Sequence, residues 1–250
     1  MKLEEVFTQL SFGELSQISL GGKEPGIIDE SNYGQIITHV NLGLLALYKR
    51  FPLKENGLRI QLQAGKITYP LTMAYSASNP KSRETYKFII DTVAAPFKDD
   101  IFKVERVYTD TGYELGLNDL NDQYSIRTPS ATLLQVPWDI AANDEAIPSE
   151  YKTSFLDVYY RAMHPVLSTN LGAGAPRTEL ELPYSHLEPL LLFVASRVHN
   201  PIGSVNAANG FNAGNNYAAK YEQSCLDLEI KNLKVDQTGT NDRIERNGWV

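Results

Sequence analysis

The chain has 250 residues, 42% of them hydrophobic and 21% charged, a balance that lets a chain of this length bury a core without covalent or metal staples. Its single cysteine, Cys225, excludes an internal disulfide and a cysteine-based zinc site and fits a reducing compartment. A formal charge of -7 argues against a protein that grips nucleic acid through its phosphates, because that affinity comes from clustered Lys and Arg, and pairs such as Lys49 and Arg50 are too few to make a stripe.

The opening MKLEEVFTQL carries two glutamates where a secretory leader needs positive charge, so no secretory segment is expected. The longest apolar stretch, around Leu190 to Val198, is too short to cross a bilayer. An amphipathic helix is expected from about Glu4 to Ile18, closed by the connector GGKEPG. From Ser31 to Phe51, Ile37, Val40, Leu44, Tyr48 and Phe51 recur at three and four, the period of one helix face, and Pro52 ends the run.

The period then changes to two. Leu58, Ile60 and Leu62 alternate with Arg59, Gln61 and Gln63, and the turn at Ala64 and Gly65 followed by KITYPL predicts a hairpin. Strands are expected at Ile101 to Thr109, at Gln123 to Val136 with Pro129 marking a break or an edge, and at Ser154 to Met163. Lys81 to Thr92 carries the one weak helical pattern in this region. In the strand around Tyr159 and Tyr160 one ring is expected in the core and the other outside, because neighbours face opposite sides. Fourteen tyrosines lean the same way, toward half-buried pleated faces and contact surfaces.

The helical period returns at Pro183. Leu187, Leu190, Leu191, Val194 and Val198 share a face, and Asn200-Pro201 is expected to end the helix. A fourth helix, capped at Asn215 or Asn216, carries the stripe Tyr217, Tyr221, Cys225 and Leu228 to about Leu233. The fold expected is α+β: a four-helix cluster from residues 1–57 and 183–234, an inserted antiparallel β domain over 58–182, and an extended C-terminal arm over 235–250. None of the helices could bury its stripe alone.

Chemical motifs are sparse. Gly203, Gly210 and Gly214 are spaced by seven and four, follow a helix and lack a Gly-Lys-Ser or Gly-Lys-Thr sequence, so a chain reversal is favoured over a phosphate loop. His39, His164, His186 and His199 show no metal-motif spacing. Asp119, Asn121 and Gln123 alternate as in a calcium loop, but the central glycine and the twelfth-position glutamate are missing. G-x-S-x-G is absent, and the adjacent pair Asp99 and Asp100 would point apart. No catalytic, cofactor-binding or metal residue is assigned.

Several stretches in order resemble the head-to-tail adaptor (connector) proteins of tailed bacteriophages: GQIITHVNLGLLALYKRFPL (34–53), LRIQLQAGKITYPLT (58–72), LDVYYRAMHPVL (156–167), LELPYSHLEPLLLFVASRV (180–198), NNYAAKYEQSCLDLEI (215–230) and NDRIERNGWV (241–250). The resemblance rests on order along nearly the whole chain and on no catalytic motif. It implies a virion structural protein made in the bacterial host cytoplasm, not an enzyme and without a cofactor. Twelve copies would form a ring beneath the portal, extend the DNA channel and receive the tail or nozzle protein, and free copies would be monomers.

Double-stranded DNA would pass through without specific binding, and no membrane is involved. Carried onto this chain, the arm would dock on the portal through Ile244, Arg246, Trp249 and Val250, with Trp249 the dominant anchor. Asn209, Phe211 and Asn212 would lie on a loop facing the channel or a neighbour. The alternative class is a tail-associated carbohydrate-binding or hydrolytic protein using the β-rich region, which would show a concave site on one copy. A DNA-binding completion factor would instead show steeply salt-dependent affinity for DNA.

Overall fold

Leu3, Val6, Phe7 and Leu10 fall on one face of a short helix, α1 (Leu3–Phe12), and all four are buried. The computed structural model describes residues 1–20, 24–138, 147–203 and 210–231. The helix ends at Phe12 and not near Ile18. Gly13 donates its N–H to Gln9 O at 2.8 Å and the chain turns, so Leu15 and Ile18 reach the core from irregular backbone.

Helix α2 (Glu30–Arg50) starts where Asp29 Oδ1 accepts the Ser31 N–H at 3.0 Å, and it finishes on Lys49 and Arg50, which suit the negative end of the helix dipole. Its buried face of Ile36, Ile37, Val40, Leu44, Leu47 and Tyr48 packs on α3 (Leu187–Gly203). Helix α3 runs through Asn200-Pro201 to Gly203, whereas proline was expected to stop it. Pro201 lies two residues from the end, so its penalty falls on one terminal turn.

Helix α4 (Gly210–Ile230) begins five residues before Asn215, so the glycines and asparagines of 210–216 are helical. The stripe that packs it on α3 explains this. Tyr221, Cys225 and Leu228 are buried and Tyr217 half-buried, and the same stripe extends back to buried Gly214, which a hydrophobicity pattern does not register. Packing outweighs the poor helix propensity of Gly and Asn.

Two compact units divide the chain: residues 1–53 with the segment from His164 onward, and Lys54–Met163. The stretch 164–182, read from sequence as part of the β-rich middle, belongs with the helices. Asn41 exchanges two hydrogen bonds with the Leu167 backbone, both at 2.9 Å, and Leu3 N donates to Thr178 O at 2.9 Å. Leu167, Ala175, Leu180 and Leu182 complete the helical core, and the Tyr48 hydroxyl donates to Glu181 O. N- and C-terminal helices therefore share one core.

The other unit is antiparallel β. Strands β1 (Glu55–Gln61), β3 (Ile89–Ile90), β4 (Ile101–Thr109), β5 (Glu114–Leu115) and β8 (Phe155–Ala162) form a sheet in the order β3-β1-β8-β4-β5. A smaller sheet has the order β2-β7-β6, from β2 (Thr68–Pro70), β6 (Arg127–Ser130) and β7 (Leu133–Gln135). Both edge strands of the small sheet carry a proline, Pro70 and Pro129, which cannot donate to an added strand.

The expected hairpin between Leu58–Leu62 and KITYPL does not form. The turn is present, with Gly65 at φ +73° and the Tyr69 hydroxyl bonded to Gln63 N–H and Lys66 O. However, β1 is flanked by β8 and β3, and β2 crosses to pair with β7. Lys81 to Thr92 is not helical either. Asn79 and Ser82 bond the following backbone N–H groups of Lys81 and Glu84, competing with helix formation, and the segment ends in β3.

On β8, Leu156, Val158, Tyr160 and Ala162 are buried while Tyr159 is 39% exposed, which is the alternation read from sequence. The Tyr159 ring lies 3.5 Å from where a Cβ on Gly57 would sit, so it covers the gap that glycine leaves in β1. Behind the sheet, Tyr160 donates to Asp100 Oδ1 at 2.8 Å, and Asn56 donates to Oδ2 at 3.0 Å. Removing the hydroxyl by Tyr160→Phe leaves a buried carboxylate short of one donor. The expected cost is about 1.5–3 kcal/mol, read as a lower urea midpoint at unchanged slope.

Candidate functional site

The arm residues Ile244, Arg246, Trp249 and Val250 lie outside the described residues, as does Asn209. Phe211 and Asn212, expected on a loop, fall instead in the first turn of α4. Helix α4 is thus the element from which the C-terminal segment departs.

Two sets of contacts fix α4. Along its buried stripe, Tyr221 meets Phe193 of α3 edge to face, with ring centroids 5.3 Å apart. From α2, Arg50 reaches across: Nη1 lies 2.6 Å from Glu222 Oε2 and Nε 2.8 Å from Glu229 Oε1. The Glu229 bond, followed by the Glu222 bond, holds the guanidinium more firmly protonated than usual against the opposing effect of burial. One arginine thus ties two glutamates seven positions apart, two turns along α4. Arg50→Ala is expected to cost only about 0.5–1 kcal/mol, since the acids are well exposed, while speeding amide exchange across residues 222–230.

A polar groove of about 600 Å³ runs beside α4, between the end of α1 and the start of α3, with Glu14, Glu188, Tyr217, Lys220, Asp227 and Lys231 on its walls. At its wall, Glu14 O accepts from His199 Nε2 at 3.0 Å and from the Tyr217 hydroxyl at 3.5 Å. Cys225 is buried against the α3 side, and burial pushes its thiol pKa up. The four histidines are scattered through the helical unit, and among the described residues no group of three His, Cys, Asp or Glu side chains converges as metal ligands.

The β unit has a cavity of about 540 Å³ with Lys54, Asn56, Asp91, Lys98, Asp100 and Tyr160 among its walls. Its carboxylates are engaged in structure. Asp100 takes the two bonds described above. Asp91 accepts from Ser76 Oγ, from the N–H and Oγ of Ser78 and from Phe97 N–H, at 2.5–2.8 Å. Burial raises its pKa, but these donors outweigh it and hold the carboxyl at about 2. Asp99 accepts the Met73 N–H. In the acidic loop, Asp119 and Asp122 accept from the N–H groups of Asn121 and Tyr124, closing local turns.

The outer face of the large sheet is a ladder of paired charges. Arg59 forks onto Asp157 with both bonds at 2.7 Å, Arg106 meets Glu55 at 3.0 Å, and Arg161 and Lys103 flank Glu105. Sequence reasoning missed Arg50 and Asp91. Arg50 has no local mark because its partners lie 172 and 179 residues off in sequence; the donors of Asp91 are 6 to 15 residues away, but on loops that carry no motif.

No family model matches the chain, and no curated protein matches it. No helix among the described residues is long and apolar enough to cross a membrane.

Proposed function

We propose that this protein is a subunit of the phage head-to-tail connector ring, docking beneath the portal, extending the DNA channel and receiving the tail. The observation that supports this most is the architecture. Helices from both ends of the chain close one core, a β unit is spliced between them, and the sequence pieces that resemble adaptor proteins follow that order along the chain.

In this reading the helical unit forms the ring wall, and the β unit meets the tail or nozzle protein. Residues 235–250 form an extended arm that orders on the portal, with Trp249 as its anchor. Twelve copies complete the ring in the virion, and the free protein is a monomer. The net charge of -7 suits a conduit, since a channel that must release DNA gains nothing from holding phosphates. The proposed role needs no catalytic residue and no cofactor.

The second reading, a tail-associated protein that binds or cleaves carbohydrate, has the β-unit cavity in its favour. Against it, the two carboxylates among the described residues that line the cavity, Asp91 and Asp100, are both committed to holding backbone and side chains. Sedimentation of the protein with its cognate portal tests the first reading. A faster portal species carrying bound copies supports it, and two unshifted boundaries reject it.

A further inference from the structure

All four histidines of the chain belong to the helical unit, and Lys54–Met163 has none. Two of the four, His186 and His39, are placed so that burial opposes a charged ring. His186, in the short turn Tyr184–His186 that leads into α3, is fully buried with its ring edge-on to Phe51 at 4.8 Å. Its Nδ1 lies 3.0 Å from Ser185 Oγ, and its buried Nε2 has no partner. An imidazolium there would carry two N–H donors, one of them facing nothing that accepts, and no charged side chain acts on the ring, so burial alone opposes its protonation.

His164 lies edge-on to Tyr48, and its Nε2 accepts the Glu181 N–H at 3.1 Å while Nδ1 sits 2.6 Å from Pro165 O. His39 on α2 is half-buried with an unpartnered Nδ1, and burial followed by the charge of Arg197 disfavours its protonation.

We propose that the helical unit is an acid-labile element, in which protonation centred on His186 loosens the seat of α3 against the end of α2 while the β unit stays folded. Above the ordinary histidine value near 6.5 the folded and unfolded chains both hold neutral rings, and nothing is lost. Below it the unfolded chain takes up protons that the folded core refuses, so stability falls as pH falls. A ring that stays neutral in the folded unit at pH 5.5 shifts its folding equilibrium about tenfold relative to pH 7.5. The β unit has no histidine, and its carboxylate Asp91, held at about 2, titrates well below this window.

Urea unfolding at pH 7.5 and 5.5 tests this in the full chain bearing Trp249→Phe, so that helix ellipticity reports the helices and the fluorescence of buried Trp138 reports the β unit. The expected result is an ellipticity midpoint that falls at pH 5.5 while the Trp138 midpoint holds. His186→Phe, which keeps an aromatic ring against Phe51 and cannot titrate, should remove most of that fall. Midpoints that shift together or not at all would overturn the proposal, as would an equal fall in the variant. Should His186→Phe fail to fold, the wild-type histidine C–H resonances decide: His186 titrating near 6.5 with its helices intact would overturn it.

Discussion

Replacing Gly26 with alanine is expected to destabilise the helical unit by about 2–3 kcal/mol. Gly26 sits at φ +79°, in the left-handed region that L side chains rarely adopt. A Cβ there would meet three backbone atoms: Ser11 O at 2.9 Å, Ser16 Cα at 3.2 Å and Ser16 O at 3.3 Å. None is the tip of a flexible side chain, so relief requires moving the turn after α1. The Gly26 N–H also donates to Ile18 O at 2.9 Å, which ties the approach to α2 onto that turn.

Gly65 separates the two contributions. It has a similar φ of +73° with nothing within 4 Å of its Cβ position, so Gly65→Ala carries the backbone strain without the clash. Its cost should be about 1 kcal/mol. Urea midpoints for the two variants check both figures. A Gly26→Ala protein no less stable than Gly65→Ala would show that the turn yields freely.

Truncation after Val235 is expected to abolish joining to the portal while leaving a folded monomer. Every buried stripe of α1, α2, α3 and α4 lies before residue 231, so the cores formed among the described residues keep all their members. What is lost is the proposed docking anchor, Ile244, Arg246, Trp249 and Val250. A single well-seated tryptophan is commonly worth 2 kcal/mol or more at an interface, roughly thirtyfold in affinity, and ring assembly multiplies that over the copies bound. Trp249→Ala should therefore weaken portal binding steeply by itself. Unchanged binding by the truncated chain would remove the docking arm from this account.

The parts of the fold legible in the sequence were those in which one element carries its own signal. The 3.6 period over Ile37, Val40, Leu44 and Tyr48 located α2, and the alternation around Tyr159 and Tyr160 assigned the two faces of β8. The parts that were not legible depend on distant partners. β1 and β2 are joined by a real turn yet lie in different sheets, because β8, a hundred residues on, pairs with β1 along its whole length. Helix α4 was begun late because its stripe runs back through Gly214, which looks like a loop residue until α3 packs beside it.

The candidate site was legible only as composition. Trp249 and Val250 at a polar terminus suggested a docking anchor, but nothing in the sequence shows that Arg50 pins the helix from which that terminus departs. The clamp needs α2 and α4 to meet, and tertiary structure alone brings Arg50 to Glu222 and Glu229.

The central claim is that this chain forms a layer beneath a portal through its C-terminal arm. Negative-stain microscopy of the cognate portal mixed with the full-length protein, and separately with the chain truncated after Val235, tests it most directly. The account predicts an extra ring under the portal with the full-length chain and a bare portal with the truncated one. A bare portal in both mixtures, with the full-length protein folded and in excess, would contradict it.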